Sequence, residues 1–302
     1  MTSTGLLNRA APRSVALETT LLLHGVPKGQ GGPLARELRA IIERNGAHAA
    51  ICGVLRGRPI VGMTDEELNH LLDAPPGSKQ VPKANTSNLG LLLHQGSDAA
   101  TTVSTTMELA ASAGVRIFAT GGLGGVHKNF AHHLDISADL LAFTRFPVAV
   151  VTSGCKSLLD VVATRELLET LGVPVVGFRT DRFPAFYLRE SSARVDARFD
   201  DLDALANFTR AELARTGRGI VIANPIPEAD ALTHADWDHW LAAAESKAES
   251  KAASKAPATG RDATPALLAA LHEASGGRTL AANLALVRSN AALAATIATA
   301  IG

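Results

Sequence analysis

Lys156 stands in VTSGCKSLLD, residues 151–160, behind the apolar, β-branched run RFPVAVV and ahead of LLDVVATRELLETLG, which has the period of a helix. It therefore falls on a strand-to-helix turn, just past the carboxyl end of a core strand. A partly buried amine there loses solvation of its charged form, its pKa falls, and it becomes a usable nucleophile. A lysine snorkelling from the turn into water fits the same position. Glu18 lies inside SVALETTLLLHG, an otherwise apolar stretch that reads as a strand entering a Gly/Pro turn. If that strand is central, its carboxylate needs either acid–base work or an ion pair, because burial without a partner is costly. On an edge strand it would face solvent and need neither.

Other segments carry weaker chemistry. Asp135 and Asp139 stand four residues apart in HHLDISADL. On a helix they would share a face and could hold a divalent cation or flank a sugar, although Ser137 and its neighbours also suit a simple cap. His127, His132 and His133 lie close by without a zinc spacing. ATGGLGGVH follows a strand, and its glycines would let backbone amides approach an anion; a packing turn explains them as well. Cys155 reads as a small buried hydrophobe.

Positioning these residues requires a large core. The chain has 302 residues, 46% of them hydrophobic and 19% charged, which suits one large α/β unit or two small ones. The segments AHAAICGVLRGRPIVG, VRIFATGG, PVAVVTSG, VPVVGF and GIVIANP read as strands. Between them GPLARELRAIIERNG, DEELNHLLDA and TTMELAASAG read as helices. Such alternation predicts a largely parallel, doubly covered sheet with ligands outside the carboxyl ends of its strands. Lys+Arg and Asp+Glu are both 29, so no net field favours nucleic acid. Two cysteines make no disulfide framework, the N-terminus lacks a signal-peptide pattern, and no apolar run approaches the roughly 20 residues of a membrane span. A soluble, cytoplasmic protein is expected. ESKAESKAASKAPATG, residues 245–260, stacks like charges and is expected to be a solvated helix end and linker within a single domain, 1–302. The residues after it read as two Ala/Leu-rich helices around a Gly-Gly turn.

Taken in order, ALETTLLLHGVP, TTVSTTM, GVRIFATGGLGGVHK, DISADL, PVAVVTSGCKSLLD, FPAFYLRESS, VIANPIPE and LAANLALVRSNAALAATIA resemble the pseudouridine-5′-phosphate glycosidase, or indigoidine synthase A-like, family. The resemblance implies a three-layer α/β/α sandwich with a mixed, largely parallel sheet, assembled as a homotrimer. It implies that Lys156 forms a Schiff base with a ring-opened ribose, and that Glu18 moves the proton at a C–C glycosidic bond. Asp135 then anchors a manganese ion, partly through waters. Lys83, Thr102, Val103, His127, Ser137, Ala138 and Asp139 fall at the substrate, and Asn283 faces the base. The substrate would be a small C-nucleoside or sugar phosphate. Two segments depart: VPKGQGG stands where the family usually has MPYPQN after the His-Gly, and where the family has Ser-Arg-Arg after its second lysine, KANTSNL carries Asn85, Thr86 and Ser87, leaving Thr86, Ser87 and the Lys128 amine to meet a phosphate. An arginine fork is a principal way to hold a phosphate dianion. The same lysine chemistry on an unphosphorylated C-nucleoside, or a non-catalytic sugar-binding role, are the alternatives.

Overall fold

Five apolar runs lie side by side at the centre of the protein, whose computed structural model describes residues 5–73, 80–128, 130, 134–252 and 270–302. The first strands are β1 (Leu7–Asn8), β2 (Ser14–Glu18), β3 (His48–Leu55), β4 (Arg58–Val61), β5 (Lys83–Ala84), β6 (Ala99–Thr101) and β7 (Ile117–Ala119). After them come β8 (Val126–His127), β9 (Ala149–Thr152), β10 (Leu159–Asp160), β11 (Val175–Phe178), β12 (Ala197–Phe199) and β13 (Ile220–Ala223). The main sheet runs β1-β4-β3-β2-β7-β9-β13-β11-β12, with β6 joined to β3 and β5 to β6. Only the β3–β4 and β3–β6 pairings in it are antiparallel. The sheet is thus mixed and mostly parallel, and β8 pairs with β10 in a separate antiparallel ribbon.

Alternation along the strands feeds two cores. Val15, Leu17, Ile117, Val151 and Ile222 point to one face, Ala16, Phe118, Val150 and Val221 to the other. Both faces are covered, so the strands read as continuous apolar runs. Helices α1 (Thr19–His24), α2 (Gly31–Arg44), α3 (Asp65–Leu72) and then α8, α9 and α10 (Leu202–Thr216, His234–Ala252, Arg278–Ile301) cover the first face. The second lies under α4 (Leu89–His94), α5 (Val103–Ser112), α6 (Ala138–Ala142) and α7 (Val161–Thr170). The expected α/β/α sandwich is present. Local signals agree with it: Thr64 and Glu67 close a reciprocal capping box on α3, and Arg56 and Gly57, both at positive φ, turn β3 into β4.

Two expectations are corrected. The strand in SVALETTLLLHG stops at Glu18, because Thr19–His24 coil into α1 and bury Leu21 and Leu22. Glu18 is therefore not inside a strand but at its carboxyl end. Secondly, α10 is 24 residues long with a window of mean hydropathy 1.5, long and apolar enough to cross a membrane. It packs instead against β2, β7, β9, α2 and α8, and 56% of that window is buried. The charged tract begins, as expected, as the end of a helix: α9 continues to Ala252. The linker expected beyond it, with Lys255, and the residues His132 and His133 lie outside the described residues.

Candidate active site

Register aligns the strand ends. Leu17 pairs with Ala119, Ala119 with Val151, and Val151 with Ile222, so the segments leaving β2, β7 and β9 open side by side. Glu18, Thr120 and Lys156 arrive there from three different strands. They line one cleft with Lys83, Thr20, His24, Gly121, Gly122, Phe186, Tyr187, His272 and Asn283. Its volume is about 620 Å³, the open mouth included.

The turn that delivers Lys156 is stitched to the glycine segment beside it. Leu123 N–H donates to Gly154 O at 2.9 Å, and Lys156 N–H donates to Leu123 O at 3.1 Å. Gly154 has φ +78, and a Cβ there would lie 1.7 Å from Pro184 O. Gly154→Ala is therefore expected to cost about 3 kcal/mol or more, read as a lower urea midpoint. Cys155 beside it is fully buried, and burial pushes its thiol up to about 12, so the role of small buried hydrophobe holds. The helix expected directly after Lys156 begins only at Val161, capped by the Asp160 side chain.

Glu18 is 7% exposed and accepts a hydrogen bond from Thr120 Oγ. Burial raises its pKa from 4.5 to about 7; Lys156, the Thr120 bond and Lys83 pull against that shift, and Asp139 adds to it. A carboxyl poised near neutrality can give and take a proton at physiological pH. His24 presents its Nε2 to Val81 O at 3.1 Å and its Nδ1 to Gln80 Nε2 at 3.1 Å. Burial, then Lys83, holds its pKa below the usual value, so a neutral ring fits that pattern. His272 meets Thr279 through Nδ1 at 2.6 Å, and burial lowers its pKa too.

Of the residues singled out in the sequence, Glu18, Lys83, Lys156 and Asn283 meet in this cleft. The others are not among its lining residues. Asp139 is buried, with Oδ1 accepting from Ser104 N–H at 3.0 Å and Oδ2 from Gly124 N–H at 2.9 Å. It ties the start of α5 to the glycine segment. Ser137 caps α6, whose first residue is Ala138. Thr102 donates through Oγ to Ala84 O at 2.9 Å, and Val103 is buried at the start of α5. Asp135 precedes α6 and so shares no helix face with Asp139, which corrects that expectation. Its Oδ2 lies 3.8 Å from His127 Nε2, and the side chain is 41% exposed.

The part of the glycine segment from Leu123 onward serves packing, while Gly121 and Gly122 line the cleft. The amides of Leu123, Gly124, Val126 and His127 bond to Gly154 O, Asp139, Thr164 Oγ and Asp135 O. A Cβ at Gly125 would meet Thr164 Oγ at 2.3 Å. Thr120, at the head of that segment, is a site residue the sequence reading missed, as are Thr20, His24, Phe186, Tyr187 and His272. Thr120 sat between a strand and a glycine run, and only strand register carries it to Glu18.

The chain as a whole is similar to known proteins. A family model described as indigoidine synthase A-like protein matches residues 7–300. The chain belongs to the indigoidine synthase A-like family. Within it, the chain is 44% identical over 296 residues to pseudouridine-5′-phosphate glycosidase of Methylobacterium nodulans, covering 98% of this chain and 85% of that one. It is 44% identical over 286 residues to the enzyme of that name from Hahella chejuensis, covering 94% and 91%. An indigoidine synthase A-like crystal structure from Thermotoga maritima superposes with a TM-score of 0.86 at 34% identity, over 97% of this chain and 95% of that one. The prealnumycin C-glycosynthase AlnA, solved with ribulose 5-phosphate, gives 0.84 at 34% identity over 95% and 91%.

Proposed function

We propose that this family member reversibly cleaves the C–C glycosidic bond of pseudouridine 5′-phosphate, giving uracil and ribose 5-phosphate through an imine on Lys156. The observation that carries the reading is the meeting of Lys156, Lys83 and a near-neutral Glu18 in one cleft at the strand ends. The names of its relatives support the same chemistry.

A C-nucleoside has no leaving oxygen between sugar and base, so two carboxylates do not suffice. Neutral Lys156 Nζ bonds to C1′ as ring O4′ leaves with the bonding pair and receives the proton released from nitrogen. The nitrogen lone pair then forms C1′=N, the C1′–base bond breaks, and its electrons pass to the base carbon. Glu18 supplies the proton that carbon needs. Water adds to the imine, releases the open-chain sugar phosphate, frees Lys156 and returns the proton to Glu18. Synthesis runs the same steps backwards, with the Glu18 carboxylate as base. Lys83 places a positive charge beside Glu18 and favours its ionised form.

The donor set for manganese is sparse. Among the described residues no three His, Cys, Asp or Glu cluster as a cation cage. A single half-exposed carboxylate, Asp135, fits a hard ion that keeps several waters and shares substrate oxygens. Bound there, the ion would place positive charge on sugar or phosphate oxygens. Thr102, Val103, His127, Ser137, Ala138 and Asp139 would frame the substrate from the same side. A homotrimeric, cytoplasmic, single-domain protein completes this reading.

One observation favours a second reading, in which the substrate lacks the phosphate. Asn85 Oδ1 accepts from Ser87 N–H, Ser87 Oγ and Asn88 N–H at 3.0, 2.8 and 3.2 Å, so that side chain is spent on the turn before α4. No arginine stands among the described residues lining the cleft. Parallel incubations with pseudouridine 5′-phosphate and pseudouridine decide the matter. Equimolar uracil and ribose 5-phosphate from the first, at a kcat/KM at least ten-fold above the second, supports the phosphorylated substrate. The reverse order supports the second reading, and no uracil from either rejects both.

A further inference from the structure

Four buried side-chain polar atoms lack a hydrogen-bond partner among the described residues: Thr20 Oγ, Thr105 Oγ, Tyr187 Oη and Asn283 Oδ1. Three of the four belong to residues lining the active-site cleft. Each such orphan costs about 1–3 kcal/mol, and folded proteins tolerate few. Their concentration at one cleft says that a ligand brings the missing partners.

Tyr187 is the most firmly held of the three. It is 1% exposed, its ring lies edge-on to Phe186 at 4.6 Å and against Trp237 at 5.7 Å. Its N–H donates to Ser157 Oγ at 3.3 Å, and its carbonyl accepts from Leu232 N–H at 3.0 Å. Phe186 before it has φ +59, a conformation rare for a bulky side chain. The Phe186 ring fills the space beside Gly121 and Gly122, where a Cβ would meet it at 3.2 and 2.5 Å. Backbone strain that persists under this much constraint is found where a side chain must be placed.

The free valences define the ligand's edge. Asn283 spends Nδ2 on Gly25 O at 3.0 Å, so its open Oδ1 accepts only and calls for an N–H. Tyr187 and Thr20 each have a hydroxyl to give, and each suits a carbonyl. All three are uncharged, so a neutral group is matched. We propose that Tyr187 and Thr20 are specificity-determining residues that, with Asn283, read the –CO–NH–CO– edge of a planar cyclic imide base. This rests on the functional reading above and assigns its base subsite. A site built to hydrogen-bond its ligand rejects analogues lacking those groups, because its own polar atoms are then left unpaired.

The test measures equilibrium binding of uracil to the wild type, Tyr187→Phe and Thr20→Val by calorimetry, alongside borohydride capture of ribose 5-phosphate. Tyr187→Phe is expected to weaken uracil binding at least ten-fold, Thr20→Val at least three-fold. Sugar capture should stay at the wild-type level, and the thermal midpoint should be equal or higher, since an orphan hydroxyl is removed. 3-Methyluracil, with its N–H blocked, should bind the wild type at least ten-fold more weakly than uracil. Wild-type affinity for uracil in Tyr187→Phe overturns the proposal, as does equal loss of sugar capture, or a wild type that binds no uracil. Failure of the functional reading looks different: no sugar capture in the wild type, with uracil binding still lost in the variant.

Discussion

Glu18→Gln is expected to lower kcat by about 10²–10⁴-fold while making the protein more stable above neutral pH. The amide keeps the shape of the carboxylate and can still accept from Thr120, but it cannot carry the proton between base carbon and solvent. The stability gain follows from burial. The folded carboxyl titrates at about 7 and the ordinary value is 4.5. Between those pH values the folded state holds a proton that the unfolded chain has lost, so stability falls as pH rises through the window. Fully ionised, Glu18 costs on the order of 3 kcal/mol. The variant should therefore match the wild type near pH 4 and exceed it at pH 8, as read from urea midpoints. Equal pH dependence in the two proteins would mean that Glu18 is not a buried, near-neutral acid. The wild-type rate should also turn over on a group titrating close to pH 7, and that limb should vanish in the variant.

Lys156→Ala is expected to reduce turnover at least about 10³-fold, since no other group replaces a covalent nucleophile. The fold should persist, because the turn is held by backbone bonds between Lys156, Leu123 and Gly154. A second readout checks the electrostatics. Lys156 is the strongest charge lowering the Glu18 pKa, so its removal should move that carboxyl still higher and shift residual pH-dependent behaviour upwards. Lys83→Ala also removes a stabilising cation but should cost less, about 10–10²-fold, with covalent capture of sugar weakened and still present. If Lys83→Ala abolished capture and Lys156→Ala did not, the roles of the two lysines would be exchanged.

Much of this architecture was legible in the residues. The parallel core strands announce themselves because both faces are buried, leaving no polar alternation to dilute the pattern. The helix of DEELNHLLDA and the strands of AHAAICGVLRGRPIVG rest on local pattern and were readable for that reason. Lys156 could be placed at a strand end from its flanks alone. Glu18 could not, because TTLLLH has the β-branched and apolar character of a continuing strand, and only its packing against α2 and α3 makes it helical. Asp135 and Asp139 have helical spacing, yet the Ser137 cap falls between them. In the glycine segment after Thr120, the amides of Leu123, Gly124 and Val126 go to Gly154, Asp139 and Thr164, contacts that no local pattern announces. Nothing local marks Thr120, Thr20 or Tyr187. Their importance arises from contacts between distant parts of the chain, as in the bond from Thr120 to Glu18, 102 positions apart, and that from Tyr187 to Ser157, 30 apart.

The central claim is that Lys156 carries the sugar as an imine. Ribose 5-phosphate with borohydride, followed by peptide mass spectrometry, reads this directly. The account predicts one reduced sugar-phosphate adduct per chain, mapped to Lys156 and absent from Lys156→Ala. An adduct confined to Lys83, or none with either ribose 5-phosphate or ribose in the presence of manganese, would contradict it.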